Sequence, residues 1–221
     1  TPWASSAAEE SKGKMEKPGL NDFGKSVVKK LNDLGVLVDL SHVGEQTFYD
    51  AIRTSRKPIL VSHSCVHAIN PIPRNLKDDQ IKAVGKNGGV ISLNFYSGFL
   101  DSTYSKKQQG FLAKYKDELK ALSDKYGRSK AIDTLISLHQ VEADEIRPSI
   151  EKVVDHIDHI VKLIGVDHVG IGADFDGAES FPQGINSVAD FPKVTAALLK
   201  RGYSAADIYK ILGGNFVRLL K

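Results

Sequence analysis

Two short stretches hold the residues whose type and spacing point to chemistry. "GVLVDLSHVG" at 35–44 and "PILVSHSCVH" at 58–67 are apolar runs that each end in Ser-His, twenty-one residues apart. A strand-end histidine by itself is ordinarily a hydrogen-bonded structural residue. Two in register, His42 and His63, suggest a shared ligand. A third apolar run, "GGVISLNFY" at 88–96, closes with Asn94 and Tyr96, and a fourth, "HVGIGADFDG" at 168–177, closes with Asp174 and Asp176. In parallel α/β folds ligands bind beyond the carboxyl ends of the strands. Two imidazoles with carboxylates on that face make the inventory of a metal site. Neutral imidazole nitrogens suit zinc, and a nearby carboxylate can handle the proton of a metal-bound water.

Arg74 lies eleven residues past His63 in "NPIPRNL". Over a metal site, its guanidinium could clamp a carboxylate through two parallel hydrogen bonds. On the residues alone, a surface arginine paired with Asp78 or Asp79 is an equal reading. The remaining candidates are weaker. "DHIDH" places His156 and His159 three apart, at a spacing that could bind metal. Its polar residues, however, fit a solvated face opposite Val153, Val154, Ile157 and Ile160. His67, His139 and His168 sit in loop, charged or turn contexts. Cys65 has no evident partnering base if the histidines hold metal, and reads as a small buried thiol. "GIGADFDG" lacks the G-x-G-x-x-G spacing and puts acids where a pyrophosphate would lie, which excludes a dinucleotide site.

The elements that must position these groups alternate. The polar opening, "TPWASSAAEESKGKMEKPGLNDFG", reads as a surface loop. A helix follows from Asn21 or Asp22 to the stop at Gly35, then a strand at 36–41, a helix at 44–56 and the strand after Pro58. A helix at 77–87 leads to the strand at 88–96. A long charged segment, about 104–165, reads as two or three helices, with Pro148 near the start of the last. Helices at 188–201 and 204–220, the latter broken near Gly213-Gly214, close the chain. Continuous apolar strands separated by helices predict a parallel sheet with crossover helices. Four such strands make an open sheet or half of an eight-stranded barrel.

Bulk properties narrow the classes. The 221 residues are 41% hydrophobic and 26% charged, an ordinary globular composition able to bury one sizeable core. A net charge of +3 with signs interspersed offers no basic stripe for nucleic acid. One cysteine excludes an internal disulfide framework, and no apolar stretch reaches membrane-span length. The chain opens Thr1-Pro2-Trp3 without an initiator Met, which points to processing or to a longer parent.

Taken together, "GLNDFGKSVVKKLNDLGVLVDLSH", "ILVSHS", "RNLKDDQIKAVGKNGGVISLNFY" and "GIGADFDG", in this order and spacing, resemble the membrane (renal-type) dipeptidase family of dinuclear zinc peptidases. The resemblance covers nearly the whole chain and is weakest at about 101–145, which looks like a family-variable insertion. It implies a (β/α)₈ TIM-type barrel, of which residues 1–221 supply roughly the C-terminal half, and two zinc ions bridged by a carboxylate and a water. Carried over by motif, His42 and His63 correspond to the ligands of the more accessible zinc. Arg74 corresponds to the arginine that holds the substrate's C-terminal carboxylate, and Asp174 to the acid that shuttles the proton. Asp176 and Asn94 receive no assignment and read as supporting residues. An aromatic ring near the substrate would come from Tyr96 or Phe99, and any phenolic contact at Phe99's position is missing.

The chain departs from the family at its front. The His-x-Asp pair and the bridging Glu that precede these blocks in the family are not in this sequence. Half a barrel would expose two long sheet edges. The resemblance therefore implies an N-terminal fragment of the same protein as partner, a dipeptide as substrate and, as in many relatives, a homodimer. By itself the segment carries too few ligands for two metals and is expected to be inactive. Two rivals share these residues: another metal-dependent barrel amidohydrolase or deaminase, and a non-catalytic relative that keeps the barrel for binding.

Overall fold

The computed structural model describes residues 2–10, 12–13 and 18–221. Among them, three parallel strands form a sheet in the order β1 (Leu60–Ser64), β2 (Val90–Leu93), β3 (Val169–Ile171). Register is set by Leu60 opposite Val90 and Ile91 opposite Val169, and β1 slips register between Val61 and Ser64. The predicted strand at 36–41 is reduced to one parallel bridge, Asp39 to Leu60. Leu60 N–H donates to Val38 O at 3.0 Å and Leu40 N–H to Leu60 O at 2.9 Å. The ladder stops there because the next donor, Ser62 N–H, turns to the Asp39 carboxylate at 3.1 Å instead of a backbone carbonyl.

Thirteen α-helices accompany this sheet among the described residues. The opening segment is more ordered than a surface loop. Ala4 and Leu20 form an antiparallel bridge, as do Ser6 and Val43, and α1 (Ala7–Glu10) buries Ala7. In α2 (Asp22–Asp33) the Asn21 side chain caps the helix by accepting from Gly24 N–H at 2.9 Å. Crossovers α3 (Glu45–Thr54) and α4 (Asp78–Asn87) match the periodicity. After β2 come α5 (Ser97–Leu100) and, where two or three helices were expected, five: α6 (Tyr104–Lys114), α7 (Lys116–Tyr126), α8 (Arg128–Leu138), α9 (Gln140–Glu145) and α10 (Glu151–Ile164). The first four are separated by the single residues Tyr115, Gly127 and His139, of which only the glycine carries a turn signal. After β3 the chain continues as α11 (Phe191–Arg201), α12 (Ala205–Tyr209), a π-turn at Lys210–Gly214 and α13 (Asn215–Leu219), interrupted where the glycine pair predicted.

Two apolar cores result. The main one joins Ile59, Val61, Ile91, Leu93 and Val169 of the sheet region to Val153, Val154, Ile157 and Ile160 of α10. All nine side chains are fully buried, each contributing about 1.5–3 kcal/mol relative to exposure. The other belongs to α6–α9: Phe111, Leu119, Ala131, Leu135 and Ala143 pack on one another. Arg147 ties this helical segment to the loop after β3, donating to Phe181 O at 2.6 Å, Pro182 O at 2.8 Å and Ile185 O at 2.7 Å.

Candidate metal centre

The two Ser-His termini meet. The Nε2 atoms of His42 and His63 lie 2.8 Å apart, with the ring planes crossed at 60°. His42 is exposed and His63 half-buried, at the open end of the sheet. Burial first, then the positive charge of Arg74 and the neighbouring His63, hold the His42 imidazole below its ordinary pKa, which favours the neutral, lone-pair-bearing ring. Two nitrogens on one tetrahedral zinc lie roughly 3.3 Å apart, given Zn–N bonds of about 2.0–2.1 Å. The observed spacing is about half an ångström short of that, so the pair fits a common cation with a small separation of the rings. Among the described residues, no three His, Cys, Asp or Glu side chains gather closely enough to hold an ion unaided.

Behind His63 stands a polar scaffold that the sequence did not reveal. The Asp39 carboxylate accepts four hydrogen bonds: Ser41 N–H at 3.1 Å and Ser41 Oγ at 2.7 Å, Ser62 N–H at 3.1 Å and Ser62 Oγ at 2.5 Å. Burial alone would raise its pKa. The bonds from Ser62 and Ser41 outweigh burial and hold the carboxyl below its usual range. Ser62 Oγ lies 2.8 Å from His63 Nδ1, and His63 N–H donates to Ser41 Oγ at 3.0 Å. The only foresight available was the Asp inside an otherwise apolar run in "VDLSH". Half of its bonds come from Ser62, on a second strand.

Asp174 follows β3 in the left-handed region, φ 62°, alone among non-glycine residues in the described chain. The Asn94 side-chain amide donates to Asp174 Oδ2 at 3.1 Å, while Asn94 Oδ1 accepts from Tyr96 N–H at 2.6 Å. Asn94 is fully buried and thus supports Asp174 directly. Gly177 closes the turn. A Cβ there would come within 2.2 Å of Asp174 Oδ1, so only glycine permits this placement. Asp176 stays exposed and reaches none of these groups by a hydrogen bond in the structure.

Arg74 does not pair with Asp78 or Asp79. Asp78 bonds His159 at 2.8 Å, and Asp79 takes the Tyr49 hydroxyl at 2.7 Å. Arg74 Nη1 is buried without a hydrogen-bond partner. Burial lowers the guanidinium pKa, opposed by the charge of Asp174. The group lies over the Phe99 ring, 5.3 Å from its centroid, and lines a cavity of about 370 Å³ together with His67, Pro71 and Pro73. Phe99 packs edge-on against Tyr96 at 5.0 Å, and the Tyr96 hydroxyl donates to Glu179 at 3.0 Å. An aromatic wall thus runs from Arg74 to an exposed carboxylate.

Outside this pair, His139, His156, His159 and His168 make structural bonds, one of them in an unexpected way. His156 is fully buried, against the expectation of a solvated face. Its Nδ1 accepts from Val66 N–H at 3.0 Å, and its Nε2–H donates to Leu100 O at 3.0 Å. It therefore staples the loop after β1 to α5. His139 pairs with Glu118 and stacks on Tyr115 at 3.7 Å, and His168 donates to Gly89 O at 2.8 Å. Cys65 is fully buried, its thiol donating to Asn94 O at 3.1 Å, and burial pushes its pKa up, away from nucleophile chemistry.

The fold and site together describe a parallel α/β protein with a paired-imidazole centre at its strand ends, flanked by an acid and an unpaired arginine. The chain belongs to the membrane dipeptidase family (Peptidase family M19), which it matches along residues 1–221. It is 33% identical over 203 residues to dipeptidase tcpJ of Claviceps purpurea, covering 92% of this chain and 38% of that protein. Among solved structures it is similar to a metallo peptidase from Rhodobacter sphaeroides liganded with a phosphinate mimic of L-Ala-D-Ala. That likeness has 31% identity and TM-score 0.68, and covers 91% of this chain and 46% of that one. It is also similar to the probable dipeptidase PvdM from Pseudomonas aeruginosa: 30% identity, TM-score 0.72, 99% and 58% coverage. The chain thus spans between about two fifths and three fifths of these relatives' lengths.

Proposed function

We propose that residues 1–221 are the C-terminal part of one metallo-dipeptidase domain, a (β/α)₈ barrel whose remaining strands come from a preceding part of the same protein, and that the complete protein hydrolyses dipeptides. One observation carries this reading: the convergence of His42 Nε2 and His63 Nε2 at 2.8 Å, the donor set of one neutral-imidazole cation site. Family membership supports zinc as the cation, with a second ion held by ligands from the preceding part.

When bound, zinc supplies a Lewis acid that polarises the scissile carbonyl and acidifies the attacking water. His42 and His63 would hold the more accessible ion. Asp174, fixed in its left-handed turn and gripped by Asn94, takes the proton from the attacking water and returns it to the leaving amine. Arg74, whose Nη1 lacks a protein partner, binds the free carboxylate of the substrate. A carboxylate fixed there limits the site to short substrates. The dipeptide mimic held by the Rhodobacter relative supports this choice of occupant. No nucleic acid and no further cofactor enter the scheme; a homodimer is compatible with it.

The test uses the full-length protein. Intact mass and metal analysis should give roughly two zinc ions per complete domain. Asp174→Asn should lower dipeptide hydrolysis by about 10²–10⁴-fold while zinc stays bound. Arg74→Met should cost roughly 10–100-fold in kcat/KM on dipeptides and much less on dipeptide amides, which lack the carboxylate. Retained hydrolysis in Asp174→Asn would remove its assigned role. A metal-free parent protein would remove the catalytic reading altogether.

A further inference from the structure

The hydrogen-bond inventory behind His63 determines which ring nitrogen carries the proton. The Asp39 carboxylate is an acceptor only, and both serine hydroxyls contact it: Ser41 Oγ at 2.7 Å and Ser62 Oγ at 2.5 Å. Each hydroxyl has a single proton, and each proton is committed to Asp39. The 3.1 Å approach between Ser41 Oγ and Ser62 Oγ therefore carries no hydrogen bond of its own. Ser62 Oγ can only accept from its remaining neighbour, His63 Nδ1, 2.8 Å away. Nδ1 must then be the protonated nitrogen, and the Nε2 lone pair points at His42.

We infer that Asp39 is a positioning residue which, acting through Ser62, locks His63 in the Nδ1–H tautomer and so keeps Nε2 open to a cation. The inference rests on the proposed metal site but is separable from it, because the tautomer exists with or without an ion. A hydroxyl next to an imidazole would not suffice alone, since Ser62 could rotate and donate to Nδ1 instead. The carboxylate removes that freedom. It does so by direct contact: Asp39 bonds both serine hydroxyls and also takes the backbone N–H groups of Ser41 and Ser62, both at 3.1 Å. The same carboxylate that ends the backbone ladder at Leu60 therefore orients the ligand two residues beyond Val61. An outer partner of this kind fixes the tautomer and ring direction of metal-ligating histidines generally. Here the partner reaches the ring through a serine.

The experiment is long-range ¹H–¹⁵N spectroscopy of the imidazoles in the full-length protein, stripped of metal with a chelator, followed by zinc titration against a competing chelator. In the parent, His63 is expected as Nδ1–H. In Asp39→Asn the amide can donate to Ser62 Oγ, which frees the hydroxyl proton to point at Nδ1. His63 should move to Nε2–H, and zinc affinity should fall about 10–100-fold. Ser62→Ala leaves both backbone bonds to Asp39 possible and should give a mixture of tautomers with a smaller fall in affinity; it carries the test if Asp39→Asn does not fold. His156, whose Nε2–H is fixed by Leu100 O, serves as an unchanged internal standard. An Nε2–H His63 in the parent overturns the inference, as does a Ser62→Ala protein that keeps both the Nδ1–H signature and the parent affinity. A tautomer that responds as expected in a parent that binds no zinc upholds the positioning role and overturns the metal reading.

Discussion

The end of β1 and the helical segment α6–α9 hold their polar groups still by different means. At the strand end, Asp39, Ser41, Ser62 and His63 are cross-linked by side-chain and backbone bonds of 2.5–3.1 Å, and every proton has one destination. In the helical segment, equally short contacts such as Lys114 to Glu142 at 2.7 Å lie in solvent, and order comes from the separate apolar core around Leu135. The first region is over-determined by polar geometry, the second by packing. Damage to the first should therefore change chemistry, and damage to the second should change stability alone.

The severest break of that comparison should be Gly172→Ala. A Cβ at this position would stand 1.8 Å from the Ser62 carbonyl oxygen, a backbone atom that cannot swing away. Ser62 belongs to the polar scaffold, so relief of the clash must move it. We expect a loss of about 3 kcal/mol or more, measured by chemical denaturation, together with loss of zinc binding. A variant as stable as the parent would show that β1 and β3 are not held as closely as described.

His156 is the next largest effect and belongs to the main core rather than to the site. Burial lowers its pKa to about 4, against 6.5 when exposed, the bond to Leu100 and the charge of Asp155 opposing, Lys152 and His159 assisting. The folded protein thus binds the proton more weakly than the unfolded chain. Its contribution to stability is complete above pH 6.5 and is lost as pH falls toward 4, a total of about 3 kcal/mol at 1.4 kcal/mol per unit. The pH dependence of denaturation should flatten in that window in His156→Gln. An unchanged slope would assign the acid sensitivity to carboxylates elsewhere.

His156 and Asp39 show what was legible in the sequence. The strand ends were readable because an apolar run followed by Ser-His is local information, and so was the alternation of strand and helix. His156 was misread because Asp155, Asp158 and His159 beside it are polar, and only the loop after β1, ninety residues earlier, explains its burial. Asp39 looked like an interruption of a strand; its meaning depends on Ser62, twenty-three residues on. The helices of the charged segment were undercounted because Tyr115 and His139, which separate them, carry no turn signal, and Gly127 alone does. Periodicity reports what a residue's own element does. It is silent on partners from other elements, and the site is made of such partners.

Arg147 tests the junction of the two regions. Its guanidinium, with side-chain exposure of 14%, is held by three carbonyls of the loop after β3, the loop that also carries Glu179. Arg147→Ala should cost about 2 kcal/mol and open residues 181–186 to proteolysis. Zinc affinity should stay at the parent value, since His63 is held by Ser41 and Ser62 and not by Arg147. A fall in affinity would mean that the helical segment reaches the proposed metal centre after all.

The smallest expected effect sharpens the contrast most. Lys114 bonds both oxygens of Glu142, at 2.7 and 2.8 Å, distances that match those around Asp39. On bond length alone the two sets would rank equally. Their surroundings differ: the Lys114 and Glu142 side chains are 58% and 41% exposed, so water replaces either partner and salt screens the pair. Lys114→Met should leave the denaturation curve, its salt dependence and zinc affinity superimposable on the parent. Asp39→Asn, which removes one charge from a scaffold of similar bond lengths, should alter His63 at once. If Lys114→Met instead destabilised the protein measurably, exposed pairs would be contributing to the order of α6–α9, and the division between a polar-determined site and a packing-determined helical segment would have to be redrawn.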